Sequence, residues 1–269
     1  MTERHDTDPS LLGRVLSIFE CFPPHGDGLS LSEIAKRTGL PKATVHRIAG
    51  DLVSHRLLMR DAYLYTPALR LFELALRSTD HGVVRDAALP HMAMLYATTR
   101  SVVHLAVLDE DEIVYLERIC DPSMRRLPTG AGARFAAHAT ALGKALLAFS
   151  DQPVRSRVLG HQLTRVTPYT IFDPAKLTRE VHRVRDTGSA SERDEAVVGI
   201  SCLASPVFAH GNLVAALSLS GRSGVLNIPG ASIAVRHTSH AISTELSRMG
   251  RHWHDSGCRE PLPQRRQPT

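Results

Sequence analysis

The stretch LSLSEIAKRTGLPKATVHRIAGDLVSHRLLMRDAYLY, residues 29–65, decides how the rest of the chain is read. Its spacing predicts two short amphipathic helices joined by a tight turn, followed by a small hairpin. In the first helix Leu31, Ile34 and Ala35 fall on one face. Ser30 is placed to cap it, and Glu33 three residues on completes a capping box. Gly39 can take the positive φ of a helix C-cap. Pro41 suits the first position of the next helix, where its missing N–H costs nothing. In that helix Val45, Ile48 and Leu52 form the buried stripe, so Lys42, Ala43, His46, Arg47 and Gly50 face outward. A small, basic, hydrogen-bonding face just past a tight turn fits the DNA major groove. Residues 57–65 alternate around Arg60-Asp61-Ala62, as the wing of a winged helix-turn-helix does. A generic helical hairpin shares this periodicity. The turn length, the basic start of the exposed face and the hairpin that follows at once favour a DNA reader. Gly50 is discordant, because glycine inside a helix costs about 1 kcal/mol relative to Ala. It marks either a close backbone approach or a tolerated defect.

Working outward, residues 10–22 carry Leu11, Leu12, Val15, Leu16, Ile18 and Phe19 at helical spacing, a first helix for the same domain. Residues 23–28 (PPHGDG) read as a loop. After the wing, Pro67 is expected to open a helix with Leu69, Phe72 and Leu76 on one side. His81-Gly82 is expected to interrupt it before a second helix over 84–99 that runs through Pro90. From Ser101 the period changes to two. SVVHLAVLD and EIVYLERIC, around the turn 109–112, predict a hairpin. Residues 121–134 read as a polar, Gly-rich loop, 138–150 as a helix, and 151–187 as largely helical with a break at 168–173. Residues 189–194 suggest a short strand, and 200–208 and 213–220 two more around the turn 209–212. A closing helix over 231–249 would bury Ile233, Val235, Ala241, Ile242 and Leu246. The expected fold class is α+β: a winged helix-turn-helix, then an antiparallel sheet with packed helices of the GAF-like, small-molecule-sensing type. The expected division is 1–9 disordered, 10–66 winged domain, 67–80 linker helix, 81–250 GAF-like effector-binding domain and 251–269 disordered tail.

Composition sets the outer limits. The chain has 269 residues, 43% of them hydrophobic, and suits two ordinary domains. No run approaches a membrane span. The opening MTERHDTDPS has no apolar core, so no secretory signal is expected. Cys21, Cys120, Cys202 and Cys258 are far apart without CxxC spacing, which points to reduced thiols in a cytoplasmic protein and away from a disulfide scaffold or structural zinc. A net charge of +5 is compatible with a polyanionic partner. Gly143-Lys144 is no phosphate loop, since His138 and Ala145 stand where GxxxxGK[ST] requires Gly and Ser or Thr. Gly130-Ala131-Gly132 lacks the third glycine of a dinucleotide fingerprint. His252, His254 and Cys258 lie in the expected tail. No cofactor and no metal are expected.

Two groups of residues are nominated as sites. At the start of the second helix Lys42, Ala43, Thr44, His46 and Arg47 are the candidate DNA contacts. Arg47 suits a bidentate base or phosphate contact, and Lys42 and Thr44 suit phosphates. In the second domain Thr140, Ala141 and Leu142 open a helix, where free backbone N–H groups favour an anion. Ser218 and Ser220, two apart on a strand, present hydroxyls on one face; their plainer role is bonding to neighbouring loops.

HATALGKALLA (138–148), GISCLASPVF (199–208) and AALSLSG (215–221), following EIAKRTGLPKATVHRI, closely resemble an IclR-type transcriptional regulator over about residues 10–250. The resemblance implies a homodimer or tetramer that binds a palindromic operator on double-stranded DNA. It also implies a small-molecule effector, a small organic acid or aromatic metabolite, that changes operator affinity; repression is the commoner role. Matching positions for effector contact are Ala141, Leu142, Glu192, Cys202, Ser218 and Ser220. For Cys202 the plain alternative is a buried small hydrophobe. The chain departs from the family pattern GYAxDxEE, reading GSASERDE at 188–195, with Ser189 for Tyr and Glu192 for the first Asp. Ser201 stands where an Arg is common. Two other classes were weighed: a winged-helix interaction module without operator binding, and an enzyme using Cys202 with one of the 15 histidines. Nothing in the sequence sets a base or an oxyanion hole beside that thiol, and no enzyme is expected.

Overall fold

The computed structural model describes residues 10–23, 26–75, 79–124, 127–160 and 162–250. The expected disordered ends, Leu76 and the histidines at 252 and 254 with Cys258 lie outside these. Two compact units divide at Thr79/Asp80.

The first unit contains α1 (Leu11–Glu20), β1 (Leu29–Ser30), α2 (Leu31–Thr38), α3 (Lys42–Ser54), β2 (Leu58–Asp61), β3 (Leu64–Pro67) and α4 (Leu69–Ala75). Strands β1, β3 and β2 pair antiparallel in that order. The capping box forms: Ser30 Oγ accepts from Glu33 N at 3.3 Å, and Ser30 N donates to Glu33 Oε2 at 2.8 Å. Gly39 ends α2 at φ 72, in the left-handed region a side chain resists. Ile18, Ile34, Val45, Ile48, Ala49, Leu52, Leu58 and Tyr65 close the core. The wing turn falls at Ala62-Tyr63, one to two residues beyond the expected Arg60-Asp61-Ala62, with Ala62 at φ 51. Pro67 ends a strand instead of opening a helix; its fixed φ suits the last, edge position of β3. The stripe read into the first helix is largely unburied: Ile18 is fully buried, whereas Leu11, Leu12 and Leu16 are 57%, 73% and 57% exposed.

The second unit begins with α5 (Thr79–Thr99), continuous through His81-Gly82 and through Pro90. Gly82 has open space around its Cβ position, so the helix absorbs it where the sequence suggested a break. There follow β4 (Val102–Asp109), β5 (Glu112–Ile119), β6 (Arg134–Ala136), α6 (Ala141–Phe149), α7 (Gln152–Leu159), α8 (Pro174–Thr187), β7 (Ala190–Arg193), β8 (Ile200–Ala209), β9 (Asn212–Arg222) and α9 (Ile228–Arg248). Six strands form one antiparallel sheet in the order β6-β5-β4-β9-β8-β7. The mixed α+β class read from the sequence is the one observed. Strand β6 was hidden at the end of the Gly-rich loop, since three residues at a sheet edge leave no periodicity to read. Residues 162–173 are irregular, a longer break than expected.

Period two distributes this sheet between two cores. One face (Val103, Leu105, Val107, Leu203, Leu217, Leu219) packs on α5 and α9. On α9 the buried line is Ala231, Val235, Ser239, Ile242 and Leu246; Ile233, expected inside, is 64% exposed, because the true stripe runs in steps of four and three from Ala231. The other face (Ala106, Ile113, Tyr115, Ala190, Ala204, Ala216) packs on α6, α7 and α8. Gly143 permits the tight seat of α6: a Cβ there would lie 2.0 Å from the Ala137 carbonyl oxygen.

Candidate functional site

On α3, Val45, Ile48, Ala49 and Leu52 are buried. Lys42, Ala43, His46, Arg47 and Gly50 are exposed on the opposite side, with Thr44 half-buried between. The helix starts after Pro41, which offers no side-chain cap. Its first-turn N–H groups therefore lie open beside Lys42, an arrangement suited to an anion. Arg47 Nη1 stands 3.7 Å from Asp51 Oδ2, both side chains more than half exposed. Such a pair is worth little in water and leaves the guanidinium free to turn. The position a Cβ would take on Gly50 meets no atom within 4 Å. The wing adds two residues the sequence reading passed over. Arg60 lies over the Tyr65 ring at 5.6 Å, and Tyr63 at the tip is 70% exposed. An exposed aromatic in a two-residue turn was the available signal.

In the second unit the six nominated residues Ala141, Leu142, Glu192, Cys202, Ser218 and Ser220 line one pocket. Strand register brings them there. Glu192 pairs with Cys202, Cys202 with Ser220, and in the next row Ser218 with His104. Opposed residues of an antiparallel sheet share a face, so a polar patch crosses the face that otherwise packs on α6. The helix contributes its N-terminus: Thr140 Oγ1 caps Gly143 N at 2.9 Å, which leaves the N–H groups of Ala141 and Leu142 without i−4 partners.

His104, Tyr115, Thr129 and Phe135 also belong to the wall and carry no nomination from the sequence. A lone histidine in an alternating strand (SVVHLAV) was the clue for His104. Its Nε2 pairs with Thr129 Oγ1 at 2.9 Å and its Nδ1 with Ser220 Oγ at 3.4 Å. Arg118 donates to the Leu127 carbonyl at 2.8 Å and to Thr129 Oγ1 at 3.4 Å.

The pocket is electrically quiet. Burial holds His104 neutral, its pKa lowered to about 3, with the Arg118 charge acting the same way. Burial raises the Tyr115 hydroxyl, and it raises the Cys202 thiol with the help of the Glu192 carboxyl. Burial also raises the Glu192 carboxyl, against hydrogen bonds from Cys202 and the Glu195 backbone. Cys202 is thus a protonated thiol beside an acid, and among the described residues no histidine is paired with it to activate it as a nucleophile. Two buried polar atoms among the described residues, Glu192 Oε1 and Ser218 Oγ, have no N–H or O–H partner, and both residues line this pocket. The enclosed space is about 30 Å³, room for about two waters.

The family model for the bacterial transcriptional regulator IclR C-terminal domain matches residues 76–244, and that for the IclR helix-turn-helix domain matches residues 11–62. The chain belongs to the IclR family of transcriptional regulators. Among its IclR relatives, the HTH-type transcriptional regulator KdgR of Dickeya chrysanthemi is 32% identical over 222 residues, 80% of this chain and 72% of that protein. The HTH-type transcriptional repressor AllR of Escherichia coli (strain K12) is 29% identical over 242 residues, 87% of this chain and 89% of that one. An IclR homolog from Microbacterium hydrocarbonoxydans, solved as a complex with 4-hydroxybenzoate, superposes with a TM-score of 0.81 at 30% identity, covering 89% of this chain and 100% of that one. Thermotoga maritima IclR superposes with a TM-score of 0.73 at 27% identity, covering 88% and 98%. Among the described residues no helix of this IclR regulator is long and apolar enough to cross a membrane.

Proposed function

We propose that this IclR-family regulator is a cytoplasmic repressor that binds a palindromic operator as a homodimer and changes its affinity when a small effector occupies the pocket between α6 and the sheet. The observation that carries the reading is the pairing of an uncapped, basic α3 in one unit with a buried, neutral polar pocket in the other. One winged domain reads one half-site, so a two-fold protein matches a two-fold operator. Exposed Leu11, Leu12 and Leu16 on α1 and Leu69 and Phe72 on α4 supply apolar surface for that pairing. Fold alone does not fix a ligand; the wall chemistry supports a hydroxylated acid. The free N–H groups at Ala141 and Leu142 suit a carboxylate. Glu192 Oε1 and Ser218 Oγ can accept from and donate to a hydroxyl. The 4-hydroxybenzoate held by the Microbacterium hydrocarbonoxydans homolog combines the same two groups. Glu192 close by disfavours a bare carboxylate at its own end of the pocket.

The test begins with an electrophoretic shift on the DNA upstream of the chain's own gene. A thermal-shift screen then uses metabolites of the neighbouring genes' reactions, with each stabilising compound tried for release of the operator. A releasing compound should lose its effect on the Ser218→Ala/Ser220→Ala variant. Equal release on that variant would move the pocket elsewhere, and no shift with upstream DNA would favour the interaction-module reading.

A further inference from the structure

The pocket, at about 30 Å³, holds no ring-sized guest as it stands, and a guest of that size would need part of its wall to move. Ala196, Val197 and Ile200 belong to that wall, and they lie in or beside the loop 194–199 that joins β7 to β8. Both ends of this loop are left-handed, Asp194 at φ 62 and Gly199 at φ 85, a region glycine adopts freely and an aspartate adopts less often. Glu195 makes several of the ties that hold the loop, beside Asp194, whose Oδ1 accepts from Gly199 N at 2.6 Å and from Ser223 Oγ at 2.8 Å. Glu195 Oε1 accepts from Lys144 Nζ at 2.6 Å, and Glu195 Oε2 accepts from Ile171 N at 3.4 Å. Its carbonyl accepts from Thr170 Oγ1 at 2.7 Å and Thr167 Oγ1 at 3.2 Å. Its N–H donates to Glu192 Oε2 at 2.9 Å. Lys144 is fully buried, one residue past Gly143 in the first turn of α6, and Glu195 is 7% exposed. A fully buried lysine stands here at a desolvation cost; its Nζ donates to Glu195 in the loop and lies 3.5 Å from the Ser191 carbonyl of β7. Glu192 faces both ways: Oε2 holds the loop through Glu195, and Oε1 has no N–H or O–H partner in the pocket.

We propose that Lys144 and Glu195 are positioning residues of the effector pocket, a buried latch that holds the 194–199 loop against α6, and that Glu192 links pocket occupancy to that latch. Entry then requires the loop to lift about Asp194 and Gly199. A ligand hydroxyl on Glu192 Oε1 would engage the same carboxyl whose other oxygen, Oε2, anchors Glu195. The effector half of this proposal rests on the function proposed above; the latch half does not.

Cys202 reads the motion without any ligand, because it lines the same pocket as Ala196, Val197 and Ile200. Iodoacetamide labelling of Cys202 in the full chain, followed by peptide mass spectrometry, is measured for wild type, Lys144→Met, Glu195→Gln, the Lys144→Met/Glu195→Gln double variant and an Ile242→Ala control. Ile242 is buried on α9 behind the opposite sheet face. Labelling through local opening is insensitive to low urea, unlike labelling through global unfolding. The double variant, with no uncompensated buried charge, should regain most of the stability the single variants lose. It should still label about ten times faster than wild type, while Ile242→Ala labels slowly at low urea despite its lost stability. Wild-type labelling in the double variant, or equal acceleration in Ile242→Ala, would overturn the latch. If the latch variants label fast but 4-hydroxybenzoate and the metabolites from the gene neighbourhood never protect Cys202, the latch stands and the effector reading falls.

Discussion

At the scale of single residues, the pocket sets two buried titratable groups against each other. Glu192 has a folded pKa raised above its ordinary 4.5. The folded state therefore keeps a proton that the unfolded state loses, and stability falls as pH climbs from about 4.5 through the raised value. His104 runs the other way. Its folded pKa of about 3 lies below the ordinary 6.5, so the unfolded state takes up the extra proton, and stability is lost as pH falls from about 6.5 towards 3. Urea midpoints measured from pH 4.5 to 6.5 should rise more steeply with pH in Glu192→Gln than in wild type, and less steeply in His104→Gln. Parallel slopes in all three proteins would mean neither group is held as described. On the DNA side, Arg47→Ala should weaken operator binding by about 1–3 kcal/mol, the worth of a bidentate base contact, measured by fluorescence anisotropy at fixed salt. Its exposed pair with Asp51 contributes too little to folding for the loss to arise there.

Among the elements, α3 carries the sharpest internal conflict. Gly50 weakens the helix proposed to read DNA, yet a Cβ at that position would meet no atom within 4 Å. Gly50→Ala should raise stability by about 1 kcal/mol from helix propensity while lowering operator affinity. A variant that is stabilised and binds DNA as well as wild type would show the glycine to be a tolerated defect. The turn and helices of residues 29–65 were legible because local rules govern them: a cap, a left-handed glycine and a 3.6-residue stripe are all visible within eight residues. The strands β4, β8 and β9 were legible by alternation. What could not be read was whatever depends on distant partners. The three residues of β6 form a strand because β5 lies beside them, and the phase of α9 is set by the sheet it covers. The pocket was half legible. Ser218 and Ser220 announce a polar face in one strand, but His104 joins them through a register only the folded sheet defines. The partnership of Lys144 with Glu195, 51 positions apart, had no local signature.

Taken whole, the chain leaves apolar surface on its first unit that its own core does not use. Leu12 and Leu16 are 73% and 57% exposed, Leu69 and Phe72 69% and 60%. Surface of this kind marks an interaction site more often than chance exposure does. Leu12→Asp/Leu16→Asp should shift the sedimenting species toward monomer at micromolar concentration and weaken operator binding more than tenfold, because a single winged domain retains only half of the site. A double variant that sediments like wild type would count against the proposed dimer contact on this surface.

The central ladder of the sheet joins β4 to β9, with Val102 opposite Ser220, strands from opposite ends of the second unit. Pairings this distant form late, and chains fold from the N-terminus as they leave the ribosome. The core of the winged unit is complete once Tyr65 has emerged, whereas the pocket does not exist until β9 has. At 5–20 residues per second, that interval lasts roughly 10–30 s. For that time every newborn chain carries a finished winged unit beside an unfinished pocket. Limited proteolysis of a chain ending before Asn212 should find residues 10–66 protected and the remainder digested; under the proposed function, that is a switch whose output is built before its input.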